Sequence, residues 1–162
     1  MSLKLLTIVA AAALALTACE SSQQNTGATT GTTQTTTAAP SGPVAGSQEA
    51  LTQQVGDRIF FDFDKSDIRA DQRGTVDKLA AWLKQNPSVQ LTIEGNCDER
   101  GTREYNLALG ERRANAVQEY LVARGVNASR LKTISYGKER PAVLGSTEYA
   151  WAQNRRDQFV VR

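Results

Sequence analysis

A helix following residue 101 carries an arginine in the middle of its apolar side, and this restricts the 162-residue chain more than any other feature. Leu109, Ala116, Val117, Tyr120 and Leu121 recur at helical spacing and form one stripe. Arg113 sits inside it, four residues after Leu109 and four before Val117. A buried guanidinium without a partner costs several kcal/mol, so a carboxylate is expected beside it, from the protein or from a ligand. The preceding loop, Gly95-Asn96-Cys97-Asp98-Glu99-Arg100-Gly101, offers Asp98 as the nearest protein candidate. One negative and one positive group at the rim of a helix start suit a zwitterion.

The absence of histidine from the whole chain removes Ser-His-Asp triads, Cys-His dyads and nearly all zinc sites. Most hydrolase chemistry is excluded with them. The chain has 19 Lys+Arg and 17 Asp+Glu, a net charge of +2, and loss of Lys4 with a leader would leave 18 basic residues against 17 acidic. No basic footprint for nucleic acid exists.

Residues 1–18 read as a signal peptide, with Lys4 as a short positive start and an apolar run from Leu5 to Leu16. The run is too short to span a membrane, which takes about 20 apolar residues. Leu16-Thr17-Ala18-Cys19 resembles the bacterial lipobox. That resemblance implies a diacylglycerol thioether and an acylated amino terminus on Cys19, a covalent lipid and the only prosthetic group expected. More than one acyl chain makes anchoring stable. Glu20 follows Cys19 where aspartate would imply inner-membrane retention, so the expected destination is the outer membrane, facing the periplasm. Residues 19–49 are rich in Thr, Ser, Gln, Gly and Ala and lack an apolar period. They read as a disordered tether, whose roughly 30 residues would span about 30 Å root-mean-square. A functional reach and a plain spacer are equally compatible with that composition.

Residues 50–162 form one domain of ordinary size. Arg58 to Phe63 reads as a strand with Ile59, Phe61 and Phe63 on one face, and about Asp71 to Gln85 as an amphipathic helix. Val89, Leu91 and Ile93 alternate with Gln90, Thr92 and Glu94, a half-buried strand. Thr102 is placed to cap the Arg113 helix and Gly125 to end it. A weaker strand at Leu131–Tyr136, a short helix at Thr147–Asn154 and a closing strand at Gln158–Val161 complete the order βαβαβ(α)β. The implied fold is an α/β (α+β) sandwich, a small mixed sheet with helices on one face.

Asn106, Leu109, Gly110, Arg113, Ala114 and Val117 match the Asn-x2-Leu-Ser/Gly-x2-Arg-Ala-x2-Val signature of the OmpA-like peptidoglycan-binding domain, and Gly95-x-x-Asp98-x-x-Gly101 matches its preceding loop. Ser135-Tyr136-Gly137 and Asn154-Arg155-Arg156 match later blocks. By resemblance to this family, Asp98 and Arg113 are expected to bind the ammonium and carboxylate of diaminopimelate in the stem peptide of peptidoglycan. Asn106, Asp67 and Arg155 are further candidates at the groove. Combined with lipobox and tether, the resemblance implies a non-enzymatic link between outer membrane and cell wall, with TolB and other Tol proteins as partners.

Two positions depart from the family loop. Asn96 replaces a common histidine, which removes any pH dependence that histidine would confer. Cys97 is either a buried small hydrophobe or an accessible thiol able to form a dimer. Asp62, Asp64 and Asp67 resemble the start of a calcium loop but lack the EF-hand glycine and terminal glutamate. Glu94 with Asp98 would make a poor glycosidase pair, since a neighbouring arginine lowers the pKa of Asp98. Trp82 and Trp151 read as packing residues before sugar platforms. Two other classes stay in view: a cell-wall hydrolase, and an interaction protein in which Asp98 and Arg113 form a purely structural salt bridge. Exchange of the lipidated residue, Cys19→Ser, is expected to abolish the lipid mass increment and release the protein from the membrane fraction; intact lipid mass on the variant contradicts the assignment.

Overall fold

A computed structural model describes residues 42–162. The signal peptide at 1–18, the lipidation site Cys19 and the tether as far as residue 41 lie outside the described residues. The elements run α1 (Gln48–Gln54), β1 (Arg58–Phe60), α2 (Arg73–Gln85), β2 (Leu91–Asn96), α3 (Arg103–Ala123), β3 (Leu131–Gly137), α4 (Glu148–Asn154) and β4 (Arg156–Val161). The strands form one mixed sheet in the order β1-β4-β2-β3. β4 lies antiparallel between β1 and β2, whereas β2 and β3 are parallel. That parallel pair requires a crossover, and α3 supplies it. The core gathers Val76, Leu79 and Leu83 of α2, Val117 and Leu121 of α3, and Ile59, Leu91, Ile93 and Phe159 of the strands. Expected and observed fold class agree.

Each end of α3 follows from its sequence. Thr102 accepts a hydrogen bond from the Tyr105 N–H at 3.2 Å, and Gly125, at φ +86°, lets the Val126 N–H turn back to the Leu121 carbonyl at 3.1 Å. Ala114, rather than Ala116, is the buried alanine of the stripe. The helix lies against the sheet where two glycines meet. A Cβ on Gly95 would stand 2.0 Å from the Gly110 carbonyl oxygen, and one on Gly110 would stand 2.4 Å from Ser135 Oγ. No side chain fits at this crossing, so the loop after β2 and the first turns of α3 are held close together.

Four expectations are corrected. The tether does not extend to residue 49: Ser47 caps α1, and Ala50 and Leu51 are buried in the core. The Gln48 side chain bonds the Phe159 carbonyl (3.1 Å) and the Val161 N–H (2.8 Å), completing the edge of β4 beyond its pairing with β1. The first strand ends at Phe60 rather than Phe63, because the chain turns at Asp64, with φ +57°, and leaves Phe63 55% exposed. β4 begins at Arg156, two residues before the expected strand, and Thr92 on the central strand β2 is buried instead of facing water. Substituting Gly95→Ala forces backbone apart, where overpacking typically costs about 1–3 kcal/mol and occasionally more. Urea denaturation should show a loss at or above the top of that range.

Candidate functional site

The loop between β2 and α3 is built by satisfying its own carbonyls. The ladder between β2 and β3 is interrupted after Gly95, and Cys97 N–H rejoins β3 by bonding the Gly137 carbonyl at 2.7 Å. Asp98 Oδ1 then accepts the Arg100 N–H at 3.1 Å, closing an Asx turn. Gly101 takes φ +91° to enter the helix cap. Asn106 Nδ2 donates to the Arg100 and Thr102 carbonyls (2.8 and 3.1 Å), and Lys138 Nζ donates to those of Glu99 and Gly101 (3.2 and 2.7 Å). Every carbonyl from 99 to 102 is thereby bonded, and the turn is held against α3 and β3.

Behind this loop lies a cavity of ≈ 150 Å³, lined by Asp98, Arg113, Asn106 and Arg155 together with Phe63, Asp64, Cys97, Arg100, Tyr105 and Leu109. Four of the five expected binding residues meet in one place. Asp67 does not: it borders a separate groove with Ile68, Arg73 and Tyr120. Asp62 and Asp64 have separate partners as well, the first Arg69 and Lys65, the second the Tyr105 hydroxyl.

Arg113 is fully buried, but not as expected. Its Nε donates to the Lys65 carbonyl at 2.8 Å, Nη2 to the Asp62 carbonyl at 3.0 Å, and Nη1 to the Asn96 carbonyl at 2.9 Å and Cys97 Sγ at 3.5 Å. The Phe61 ring lies 4.9 Å away. Three neutral carbonyls thus solvate the guanidinium without neutralising it, and one of its five N–H donors, on Nη2, is left over. Burial lowers its pKa, yet an arginine remains charged. The anticipated Asp98–Arg113 ion pair is not formed among the described residues. Asp98 is taken by Arg100, with Nη2 at 2.5 Å and Nε at 3.3 Å, and by Arg155 Nη1 at 3.3 Å. Burial pushes the Asp98 carboxyl up, but the hydrogen bonds from the Arg100 side chain and backbone and from Arg155 outweigh it and hold the group below the usual value. The charged cavity-lining side chains are Arg100, Arg113 and Arg155 against Asp64 and Asp98. One positive charge is in excess.

Arg155 is held by three segments at once: Nε donates to the Phe61 carbonyl (3.2 Å), Nη1 to Asp98, and Nη2 to Glu148 (2.8 Å). Arg156 is buried and donates to the Arg140 carbonyl. Cys97 is the buried thiol rather than the accessible one: its Sγ–H donates to the Asn106 carbonyl at 3.4 Å, and burial pushes its pKa to about 11. Trp82 is a core residue. Trp151 lies against Arg100 and donates from Nε1 to Glu99.

Sequence reasoning missed Arg100, Phe63, Tyr105 and Asp157. The last is fully buried on β4, and neither carboxylate oxygen has a hydrogen-bond donor. Burial drives its pKa well above 3.8 against the opposing pull of Arg113 and Arg156, and its carboxylate makes no hydrogen bond to Arg113. A folded-state pKa above the unfolded one penalises folding once pH rises past the unfolded value. Asp157→Asn should therefore be more stable than the parent at pH 7 by about 1–3 kcal/mol, with the gap closing near pH 4 in urea titrations.

A model of the OmpA family matches residues 60–155. The peptidoglycan-associated lipoprotein of Rhizobium meliloti (strain 1021) is 58% identical over 111 residues, 68% of this chain; the match spans 63% of that relative, just under two thirds of its length. The peptidoglycan-associated lipoprotein of Haemophilus influenzae is 46% identical over 152 residues, 92% of each chain. The crystal structure of the peptidoglycan-associated lipoprotein from Burkholderia pseudomallei superposes with a TM-score of 0.64 at 42% identity, covering 65% of this chain and 90% of that one. These are binding and structural proteins rather than enzymes. With its family model matched over more than half its length, the chain belongs to the OmpA family, in the group whose curated members are peptidoglycan-associated lipoproteins.

Proposed function

We propose that this protein is an outer-membrane lipoprotein that binds peptidoglycan noncovalently and ties the outer membrane to the cell wall. The carrying observation is the meeting of Asp98 and Arg113 in one cavity with a surplus positive charge and a spare guanidinium N–H. A zwitterionic amino-acid centre satisfies both ends, its carboxylate at Arg113 and its ammonium at Asp98, and diaminopimelate of the stem peptide carries such a centre. The family supports the choice, since its members are named for association with peptidoglycan. Arg155 orients Asp98, and Asn106 acts through the loop it anchors rather than by touching the ligand with its amide N–H groups. Cys19 supplies the lipid anchor and residues before the domain the reach. Membership of the Tol-Pal system, with TolB and the other Tol proteins as partners in envelope integrity and constriction at division, completes this reading by resemblance.

The test is co-sedimentation of the full chain with insoluble peptidoglycan, run beside thermal melts. Asp98→Asn keeps the shape and removes the charge, and should weaken binding about ten- to hundredfold, the equivalent of a charge-assisted bond of about 1.5–3 kcal/mol. Arg113→Ala should weaken it similarly but also lower the melting temperature, because three carbonyls lose their donor. Wild-type affinity in a folded Asp98→Asn variant overturns the assignment.

A further inference from the structure

We propose that Arg100 is a built-in occupant of the cation subsite at Asp98, the group a ligand's ammonium has to displace, and that this competition sets which ligands the cavity accepts. The proposal rests on the reading of Asp98 as the ammonium-binding group.

A carboxylate offers about four acceptor positions. At Asp98 all four are taken, and three of them by Arg100: its N–H and Nε on Oδ1, its Nη2 on Oδ2 beside Nη1 of Arg155. An ammonium arriving from solvent finds no vacant lone pair. One of the two guanidinium groups has to yield, and their surroundings say which. The Arg155 side chain is 9% exposed and is also bonded to the Phe61 carbonyl and Glu148, so moving it breaks contacts with two further segments. The Arg100 side chain is 30% exposed, and among the described residues its guanidinium hydrogen-bonds only Asp98; it lies over Phe63 at 4.0 Å and Trp151 at 4.1 Å and is attracted through space by Glu148 and Glu99. Cation–π attraction holds a charge near a ring without a fixed direction and is worth about 0.5–1 kcal/mol at exposed sites. Arg100 therefore leaves more readily, while its backbone N–H keeps the Asx turn closed. Once it leaves, Oδ2 is open to the ligand and the faces of Phe63 and Trp151 are uncovered.

Selectivity follows from the exchange. A ligand with a free ammonium replaces one cation by another and gains the subsite. A ligand whose amine is neutralised cannot replace the lost charge, so it leaves Arg100 in place and binds only through its carboxylate.

The experiment is calorimetric titration of full-length, detergent-solubilised protein with a soluble muramyl tripeptide ending in diaminopimelate, and with the same peptide acetylated on the side-chain amine. Arg100→Gln, which removes the charge and keeps a long stem, should bind the free-amine peptide about two- to fivefold more tightly, the upper range of a partly exposed ion pair. The acetylated peptide should bind both proteins equally. Equal or weaker binding of the free-amine peptide by a folded Arg100→Gln variant overturns the proposal, for it would make Arg100 a bystander or a direct ligand contact. If the wild-type protein binds both peptides equally, the ammonium reading of Asp98 falls, and this proposal with it. A measurement independent of any variant is the Arg100 Nε–Hε resonance of wild-type protein, which should shift and exchange rapidly with solvent at ligand saturation. A resonance unmoved at saturation also overturns the proposal.

Discussion

The guanidinium of Arg113 organises both the interior of this domain and its cavity. From α3 it bonds the Asp62 and Lys65 carbonyls of the segment after β1 and the Asn96 carbonyl at the end of β2. Two stretches of irregular backbone, each with groups that must be satisfied once buried, are thus fastened to one side chain. The glycine crossing at 95 and 110 brings the helix near enough for this reach, and the bonded carbonyls of the 99–102 loop hold the opposite wall. Because carbonyl dipoles solvate a cation without cancelling it, the same bonds leave a positive centre under the cavity.

That distinction between solvating a charge and neutralising it separates the site from an ordinary buried salt bridge. A paired Asp98 and Arg113 would be electrically closed and would give a ligand little to do. Here the negative group is oversupplied with donors while the positive group makes no ion pair among the described residues, only bonds to carbonyls and a thiol. Asp157, the acid nearest in spirit to a counter-ion, is pushed toward its neutral form by burial and accepts no hydrogen bond from Arg113.

Much of this was legible in the chain itself. Arg113 stood out because it interrupts an apolar helical period, and the helix ends announced themselves through Thr102 and Gly125. The cavity followed from these, with Asp98, Asn106 and Arg155 joining it. Asp67 lies apart from them, bordering a different groove after the turn at Asp64, a placement that the sequence pattern does not mark. Arg100 was overlooked since an exposed loop arginine has no periodicity to mark it, and its importance comes from aromatic residues some forty and fifty positions distant in the chain. Asp157 went unseen with the start of β4: two residues spaced from Phe159 it shares the inward face, but a charged pair before it masked the alternation. Helix α1 is short, and only Ser47 and the burial of Ala50 and Leu51 distinguish it from the polar sequence ahead of it.

Gln48 gives the fold a mechanical property. Its side chain takes the place of a neighbouring strand at the open edge of β4, so the segment entering the domain from residue 47 is coupled to that strand by a pair of hydrogen bonds as well as by the packing of Leu51. β4 runs from there to Arg156, and the next residue, Arg155, grips Asp98. Tension applied to the amino-terminal side is therefore delivered through a central strand, bonded on both flanks, to the wall of the cavity. A load directed along that strand would be borne by the ladder bonds on both of its flanks together.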